Sequence, residues 1–345
     1  MRPMVPPATI LLNDAEWLAH RYVESADAFR FIRLARAGHA AIPFLTDDCL
    51  GEREIGGDLA ANDCLAVPGD APLAFVFHSA FCGSTMLTRA LDRPGVAMGL
   101  SEPVLLNDVV GFRRRGADPR AVARVADLAT RLLSRSFGAG EAVVIKPSNL
   151  INPLAELLLA LRPQAKAVFL YAPLETFLIS VVRKGLPCRL WVRELLQGYL
   201  REGYVALGFE PEDYFRQSDL QVAAVGWLAQ HAQFSLLAVK LGPERLRSLD
   251  ADRMTARPAA AIDAVAGHFN LTLDGDAVRQ IAAGPAFTRH SKSGAAFTPE
   301  LRASEYAAAR SAHGEEIDLV LRWAKQVAEG AGIVAEGRFP LLAQE

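Results

Sequence analysis

The sequence contains few cysteines and few lysines, and it carries no excess of charge of either sign. The 37 basic and 39 acidic residues give a formal net charge of −2. This balance excludes a generally basic nucleic-acid-binding protein. No two cysteines form a C-x-x-C pair, so a zinc site is not predicted. We therefore expect no metal, no nucleic-acid partner, and free thiols in a reducing, cytoplasmic compartment; the cysteines are Cys49, Cys64, Cys82 and Cys188.

Long apolar runs are also missing. No stretch of 18 apolar residues occurs, which argues against a membrane span, and residues 1–17 lack the apolar core of a secretory signal peptide. The seven histidines form no H-E-x-x-H motif. With 345 residues and 51% hydrophobic content, the chain is long and apolar enough to form one large α/β domain with additions, or two domains.

Three short apolar runs predict buried strands, at residues 73–79, 142–148 and 166–172, and residues 244–250 are a candidate fourth strand. Helical patterns lie between them, and this alternation is typical of βαβ units. We predict a three-layer α/β/α fold with a central parallel sheet, of the P-loop NTPase type. It spans residues 71–345, has a helical substrate-side region at about 186–240, and follows an N-terminal extension, residues 1–70. In that extension, residues 14–36 show mixed helical spacing, and residues 41–50 indicate a short extended piece.

The strongest local signal follows the first predicted strand, in the sequence FVFHSAFCGSTMLTRAL. Gly83 permits a tight turn, and Ser84 and Thr85 open a helix. Unpaired backbone N–H groups at a helix start, together with the helix dipole, suit a phosphate or sulfate. The loop lacks the G-x-x-x-x-G-K-[ST] pattern of a Walker A motif. The alternative interpretation is a plain strand–helix turn in which Ser84 only caps the helix.

Several segments together resemble the PAPS-dependent sulfotransferases, most closely the tyrosylprotein and related bacterial branches. Cys82-Gly83-Ser84-Thr85 is similar to the family's S-G-T-T phosphosulfate loop. VAMGLSEPVLLN, VVIKPSN and LRPQAKAVFLYAPLETFLISVVRKG are similar to its later motifs, and residues 241–271 resemble its next strand–helix stretch. The resemblance covers roughly residues 73–295, with order and spacing kept.

The resemblance implies a sulfuryl transfer from 3′-phosphoadenosine 5′-phosphosulfate (PAPS) to a hydroxyl or amine of a small molecule or peptide, without a metal. It maps the catalytic base to Glu102 and the stabilising cation to Lys146. His78 is an alternative base. The loop residues Cys82, Gly83, Ser84 and Thr85 are expected to hold the 5′-phosphate, and Ser180 the 3′-phosphate.

Two cations of the family's pattern are absent from this sequence. Phe81 stands where a lysine or arginine usually precedes the loop, and Ala172 stands where an arginine usually contacts the 3′-phosphate. Each such contact contributes about 1.5–3 kcal/mol. The candidate substitutes are the cationic residues that follow Ser180 and those of the late polar loop: Arg183, Lys184, Arg189, Arg289, His290 and Lys292.

Two other functions stay open. One is a nucleotide-dependent small-molecule kinase on a P-loop-like fold, which the missing Walker lysine disfavours. The other is a non-catalytic member of the fold that binds an anion or a partner, which Phe81 and Ala172 favour. On that interpretation Glu102 is an ordinary loop acid, Lys146 is solvated, and His78 is structural. The oligomeric state and the acceptor are not encoded in any motif.

Overall fold

A five-stranded parallel sheet flanked by helices forms the centre of the fold, in a computed structural model that describes residues 6–69, 71–289 and 299–343. Its strand order is β5-β6-β4-β7-β8, and β1, β2 and β3 form a separate three-stranded sheet. The predicted α/β class is therefore confirmed. The strands are β1 (Trp17–Val23), β2 (Ala28–Arg33), β3 (Ile55–Ala60), β4 (Leu73–His78), β5 (Ala97–Ser101), β6 (Ala142–Lys146), β7 (Lys166–Tyr171) and β8 (Leu246–Asp250).

Some of the helices, including the long helices α6 (Pro119–Leu133) and α11 (Asp219–Leu241), begin at capping side chains. The Asp118 side chain accepts hydrogen bonds from the backbone N–H groups of Arg120 and Ala121, and Ser218 forms a reciprocal capping box with Gln221. The helices are α1 (Ala8–Asn13), α2 (Arg36–Ala41), α3 (Asp47–Leu50), α4 (Ser84–Leu91), α5 (Val104–Arg114), α6 (Pro119–Leu133), α7 (Ala155–Leu161), α8 (Leu174–Arg183), α9 (Gly185–Arg201), α10 (Asp213–Arg216), α11 (Asp219–Leu241), α12 (Ala251–Ala256), α13 (Pro258–Phe269), α14 (Gly275–Ala282), α15 (Pro285–Thr288) and α16 (Pro299–Gly330).

The four predicted strands of the central sheet are present as β4, β6, β7 and β8. The sequence did not indicate β5, because AMGLS is short and contains glycine and serine rather than a branched apolar run. Its five residues are nevertheless buried, and it pairs in parallel with β6, with Ser101 opposite Lys146. The pairing with a long-range partner determines this strand.

The helical spacing in residues 14–36 was a wrong indication. These residues form β1 and β2, which pair antiparallel, and β2 pairs antiparallel with β3. Aromatic and branched residues on both strands favour the extended form, and Asp27 adopts the left-handed conformation (φ 44°) that turns the chain between them. The segment 41–50 ends in the short helix α3 rather than remaining extended.

The first compact unit comprises the chain up to Phe77, Thr85–Ala167 and Ala266–Val278. Within it, the buried Arg135 guanidinium donates to the carbonyls of Leu11 (2.5 Å), Trp17 (2.5 Å) and Asp14 (3.1 Å). Burial lowers the pKa of Arg135 to about 10. The Arg135 side chain therefore links the C-terminal end of α6 to the segment from Leu11 to Trp17. The predicted domain boundary at residue 70 stays a prediction.

The second compact unit comprises His78–Ser84, Val168–Val265 and the chain from Arg279 onward. Its helix α11 is 23 residues long, and it is the one helix among the described residues that is long and apolar enough to cross a membrane by length and composition. Its most apolar window is 72% buried, as is typical of a core helix. Trp227 of α11 stacks on His231 with ring centroids 3.5 Å apart, and burial lowers the pKa of His231 to about 3.

Candidate active site

In the first unit, the ends of β5 and β6 bring Glu102 and Lys146 together. Ser101 and Lys146 are register partners, and the Glu102 backbone N–H donates to the Lys146 carbonyl at 2.6 Å. The Lys146 ammonium donates to the Glu102 carboxylate. The Lys146 side chain is 0% exposed, whereas that of Glu102 is 22% exposed. A fully buried cation therefore faces a carboxylate that solvent still reaches.

The same ammonium lies beside the first turn of α4. Its Nζ is 3.4 Å from the Thr85 hydroxyl oxygen, which accepts the bond. Thr85 is itself buried. Because a helix start carries partial positive charge, the ammonium and this turn form an electropositive environment suited to a transferring anionic group. The structure thus brings together three predicted residues, Glu102, Lys146 and Thr85.

Phe44, which sequence reasoning missed, also lies beside Lys146. The Nζ atom lies 4.8 Å from the centroid of the Phe44 ring, within the range of a cation–π contact. The neighbouring Leu45 accepts from the Val104 N–H (3.0 Å) and donates to the Ser101 carbonyl (2.8 Å). These bonds fix the turn at Glu102, whose φ of 48° is in the left-handed region. That conformation costs a residue with a Cβ about 1–2 kcal/mol, and such cost is often met at functional positions.

In the second unit, the predicted anion loop has an unusual backbone. Ala80 (φ 72°), Phe81 (φ 52°) and Gly83 (φ 76°) all have positive φ. The His78 Nδ1 atom accepts a hydrogen bond from the Ala80 N–H at 3.1 Å, so this nitrogen is occupied in holding the loop. The predicted residues Cys82 and Ser84 are both buried, and Ser84 is the first residue of α4. The bond at Nδ1 gives His78 a structural task, and its proposed role as a base stays a prediction.

A lysine from another part of the chain approaches the position of the missing loop cation. The Lys184 Nζ lies 5.3 Å from the centroid of the Phe81 ring. Phe177 and Trp191 also contact this ring, with centroids 5.7 and 5.5 Å from it. Lys184 therefore places a positive charge next to Phe81, where the family's pattern has a basic side chain.

Ser180 lies on α8 of the second unit and is buried. Its hydroxyl donates to the Thr176 carbonyl at 3.0 Å and lies 3.1 Å from the Tyr306 hydroxyl. Ser180 thus bonds back to its own helix, and this bond leaves the hydroxyl oxygen able to accept from another donor. Ala172 is fully buried, and its carbonyl accepts from the Trp227 indole N–H at 2.9 Å.

The candidate substitute cations differ in their surroundings. Arg183 pairs with Glu305. Arg189 pairs with Glu316 through two nitrogens, each 3.1 Å from a carboxylate oxygen; these hydrogen bonds raise the pKa of Arg189. Arg289 is exposed at the end of α15. His290 and Lys292 lie outside the described residues.

Metal ligation has no candidate in the described part of the chain, where no group of three or more His, Cys, Asp or Glu side chains is placed to hold an ion.

Comparisons with known proteins find similar solved structures at low sequence identity. The chain matches no protein-family model and no curated protein. Solved structures that resemble it are sulfotransferases, the family that the sequence motifs resemble. Sulfotransferase STF1 from Mycobacterium tuberculosis H37Rv is 17% identical, with 72% of this chain and 79% of that chain covered and a TM-score of 0.40. Sulfotransferase STF9 from Mycobacterium avium is 13% identical, with coverages of 73% and 79% and a TM-score of 0.43.

A third similar structure is the sulfotransferase domain from the curacin biosynthetic pathway. It is 14% identical, with 71% of this chain and 98% of that domain covered and a TM-score of 0.40. Similarity at this level carries no argument about the reaction. The roles of individual residues therefore rest on the contacts described above.

Proposed function

We propose that this protein is a sulfotransferase that moves a sulfuryl group from PAPS to a hydroxyl or amine of a small-molecule or peptide acceptor. The observation that carries the proposal is the Lys146 ammonium, which is fully buried and contacts both the Glu102 carboxylate and the Thr85 hydroxyl. A buried lysine is costly unless a partner or a function compensates it. A cation and a base in contact, beside a helix start, are the groups that an in-line transfer to a hydroxyl requires.

The proposed reaction breaks one bond and forms one. The acceptor oxygen attacks the sulfur of PAPS and gives up its proton to Glu102, while the bond between sulfur and the bridging phosphate oxygen breaks. Lys146 stabilises the negative charge that develops on the transferring group and the leaving oxygen. The products are the sulfated acceptor and 3′-phosphoadenosine 5′-phosphate. We assign Cys82, Gly83, Ser84 and Thr85 to the 5′-phosphate and Ser180 and Arg183 to the 3′-phosphate. The role of Arg289 at the nucleotide stays a prediction.

We further propose that the protein works in a reducing, cytoplasmic compartment. The support is that the four cysteines are free thiols and three of them are buried. Desolvation raises the pKa of Cys64 to about 12, so this thiol stays protonated and unreactive.

Calorimetric titration with 3′-phosphoadenosine 5′-phosphate tests the donor, with ATP as the matched comparison. We expect saturable micromolar binding of the bisphosphate and much weaker binding of ATP, because ATP lacks the 3′-phosphate. Binding of ATP alone would favour the kinase. Binding of neither nucleotide would favour the non-catalytic member of the fold. A radiolabelled PAPS assay with a panel of phenols, alcohols and amines then identifies the acceptor class.

A further inference from the structure

The first part of α16 covers the two α8 residues that the proposed function assigns to the 3′-phosphate. The Tyr306 hydroxyl lies 3.1 Å from the Ser180 hydroxyl, and the Glu305 carboxylate pairs with Arg183. All four residues belong to the second compact unit. The segment of α16 that carries Glu305 and Tyr306 is separated from the remainder of the helix by a bend at His313, whose φ and ψ are −127° and 15°.

Two guanidinium groups lie close to the Tyr306 ring. The Cζ atom of Arg183 is 5.3 Å from the ring centroid, and that of Arg302 is 5.0 Å from it. Arg302 also donates to the Asp252 carboxylate at 3.0 Å and to the Thr255 hydroxyl at 3.3 Å. Two arginines and the hydroxyl groups of Ser180 and Tyr306 therefore share one neighbourhood. Planar guanidinium donors with hydroxyl groups suit a phosphomonoester dianion.

The Glu305 carboxylate in this neighbourhood is exposed enough to exchange for another anion. The side chains of Arg183 and Glu305 are 31% and 44% exposed. An exposed pair of this kind contributes little to stability, because solvent screens it and two long side chains lose freedom. A dianion that accepts hydrogen bonds from both arginines and from a hydroxyl makes more charge-assisted contacts than the single carboxylate of Glu305. It is therefore expected to displace Glu305 from Arg183.

We propose that Arg302 and Tyr306 complete a phosphomonoester-binding site with Ser180 and Arg183, and that Glu305 occupies Arg183 as an internal competitor until the phosphate displaces it. Arg302 thereby supplies the cation that the sequence lacks at Ala172. This inference rests on the proposed function, since the phosphate concerned is the 3′-phosphate of PAPS. Glu305 sets the affinity for that phosphate, and Asp252 remains the second partner of Arg302.

Calorimetry with two nucleotides tests the proposal. The probes are 3′-phosphoadenosine 5′-phosphate and adenosine 5′-phosphate, which lacks the 3′-phosphate. Arg302→Gln is expected to weaken binding of the first about 10- to 100-fold, the value of a charge-assisted contact, and to leave binding of the second unchanged. Glu305→Gln is expected to tighten binding of the first about two- to fivefold, because the competing charge is gone. Glu315→Gln, an exposed acid on the same helix, is the matched control and should change neither.

Two further measurements keep the outcomes distinct. Arg302→Lys retains the charge and should lose less affinity than Arg302→Gln, and circular dichroism confirms that each variant is folded. If the wild type binds the bisphosphate, and both Arg302→Gln and Glu305→Gln bind it with the affinity of the wild type, the inference is wrong and the proposed function stands. If Arg302→Gln weakens the binding of both nucleotides by the same factor, the inference is also wrong. If no form of the protein binds the bisphosphate, both the inference and the proposed function fail.

Discussion

The two compact units each contain a cation paired with a glutamate, and the two pairs differ in their access to water. Lys146 and Glu102 of the first unit are 0% and 22% exposed, whereas Arg183 and Glu305 of the second are 31% and 44% exposed. Removing one partner of a buried pair typically costs about 3–5 kcal/mol, but an exposed pair contributes only about 0.2–1 kcal/mol. The buried pair of Lys146 and Glu102 thus suits a cation that stays in place during a reaction. The exposed pair of Arg183 and Glu305 suits a cation that a ligand can bind in place of the carboxylate.

The largest effect on stability is expected when the buried cation loses its carboxylate. Glu102→Ala should lower the free energy of unfolding by about 3 kcal/mol, because the Lys146 ammonium then lies buried without its carboxylate partner. Glu305→Ala, the matched change in the other pair, should lower it by less than about 1 kcal/mol. Urea denaturation followed by circular dichroism measures both values. Equal losses in the two variants would contradict the distinction between the pairs.

The next effect concerns turnover. Lys146→Met should reduce the rate of sulfuryl transfer about 100- to 1000-fold, the usual result of removing one preorganised charge from a developing anion. Lys166→Met is the matched control, since Lys166 donates to the exposed Asn270 side chain at 3.1 Å and has no proposed role. Initial rates with PAPS and a saturating acceptor measure the effect. Unchanged turnover of Lys146→Met would remove this residue from the mechanism.

The pH dependence of stability extends the comparison of the two units, because each unit also contains a buried histidine. Burial lowers the pKa of His39 in the first unit to about 4 and that of His231 in the second to about 3. Each unfolded imidazole binds a proton near pH 6.5 while the folded one stays neutral. The free energy of unfolding therefore falls as the pH drops below about 6.5, by up to about 1.4 kcal/mol per pH unit for each histidine. For His39 this loss ends near pH 4, and for His231 it ends near pH 3.

His231→Phe should make the free energy of unfolding less dependent on pH between 6.5 and 3. His39→Phe should do the same only between 6.5 and 4, so the effects of the two variants should differ only below pH 4. The change is read from urea midpoints at a series of pH values. His313→Gln serves as the control, because the His313 side chain is 40% exposed and should not contribute this slope. An unchanged slope in His231→Phe would show that the acid sensitivity has another source.

The smallest expected effect is the interaction energy between Arg183 and Glu305. A double-mutant cycle of Arg183→Gln and Glu305→Gln should give an interaction energy of about 0.2–1 kcal/mol that declines in added salt. Urea denaturation at low and high ionic strength measures it. A coupling above about 2 kcal/mol, or one insensitive to salt, would place this pair in the same class as Lys146 and Glu102.

The sequence predicted those parts of the molecule whose signal is local. The apolar run before Lys146 marked β6, and the run before His78 marked β4, because buried parallel strands have continuous hydrophobic patterns. β5 was missed because its five residues are determined by pairing with β6 rather than by their own propensity. The hairpin of β1 and β2 was misread, since apolar residues on both faces of a strand imitate helical spacing.

The residues of the candidate site also fall into two groups, those that a local motif predicts and those that only long-range contacts bring to the site. Glu102, Lys146 and Thr85 were found from motifs, and the first unit brings them into contact. Phe44 near Lys146 carries no local pattern, because its contact joins segments that are far apart in the sequence. Arg302 lies one helical turn before Tyr306, and only the long-range contact of Tyr306 with Ser180 brings both near the predicted site. The approach of Lys184 to Phe81 has the same character, although Lys184 was among the candidate substitutes for the missing cation.

The order of α8, α9 and α16 along the chain has a consequence for biosynthesis. Arg183 and Arg189 on α8 and α9 pair with Glu305 and Glu316, which the ribosome adds long afterward. While the nascent chain grows, both arginines are therefore without these carboxylates until α16 has been made. Synthesis of α16 delivers the acids and ends that interval. The order of the elements along the chain thus gives these arginines their counter-charges only after α8 and α9 have been made.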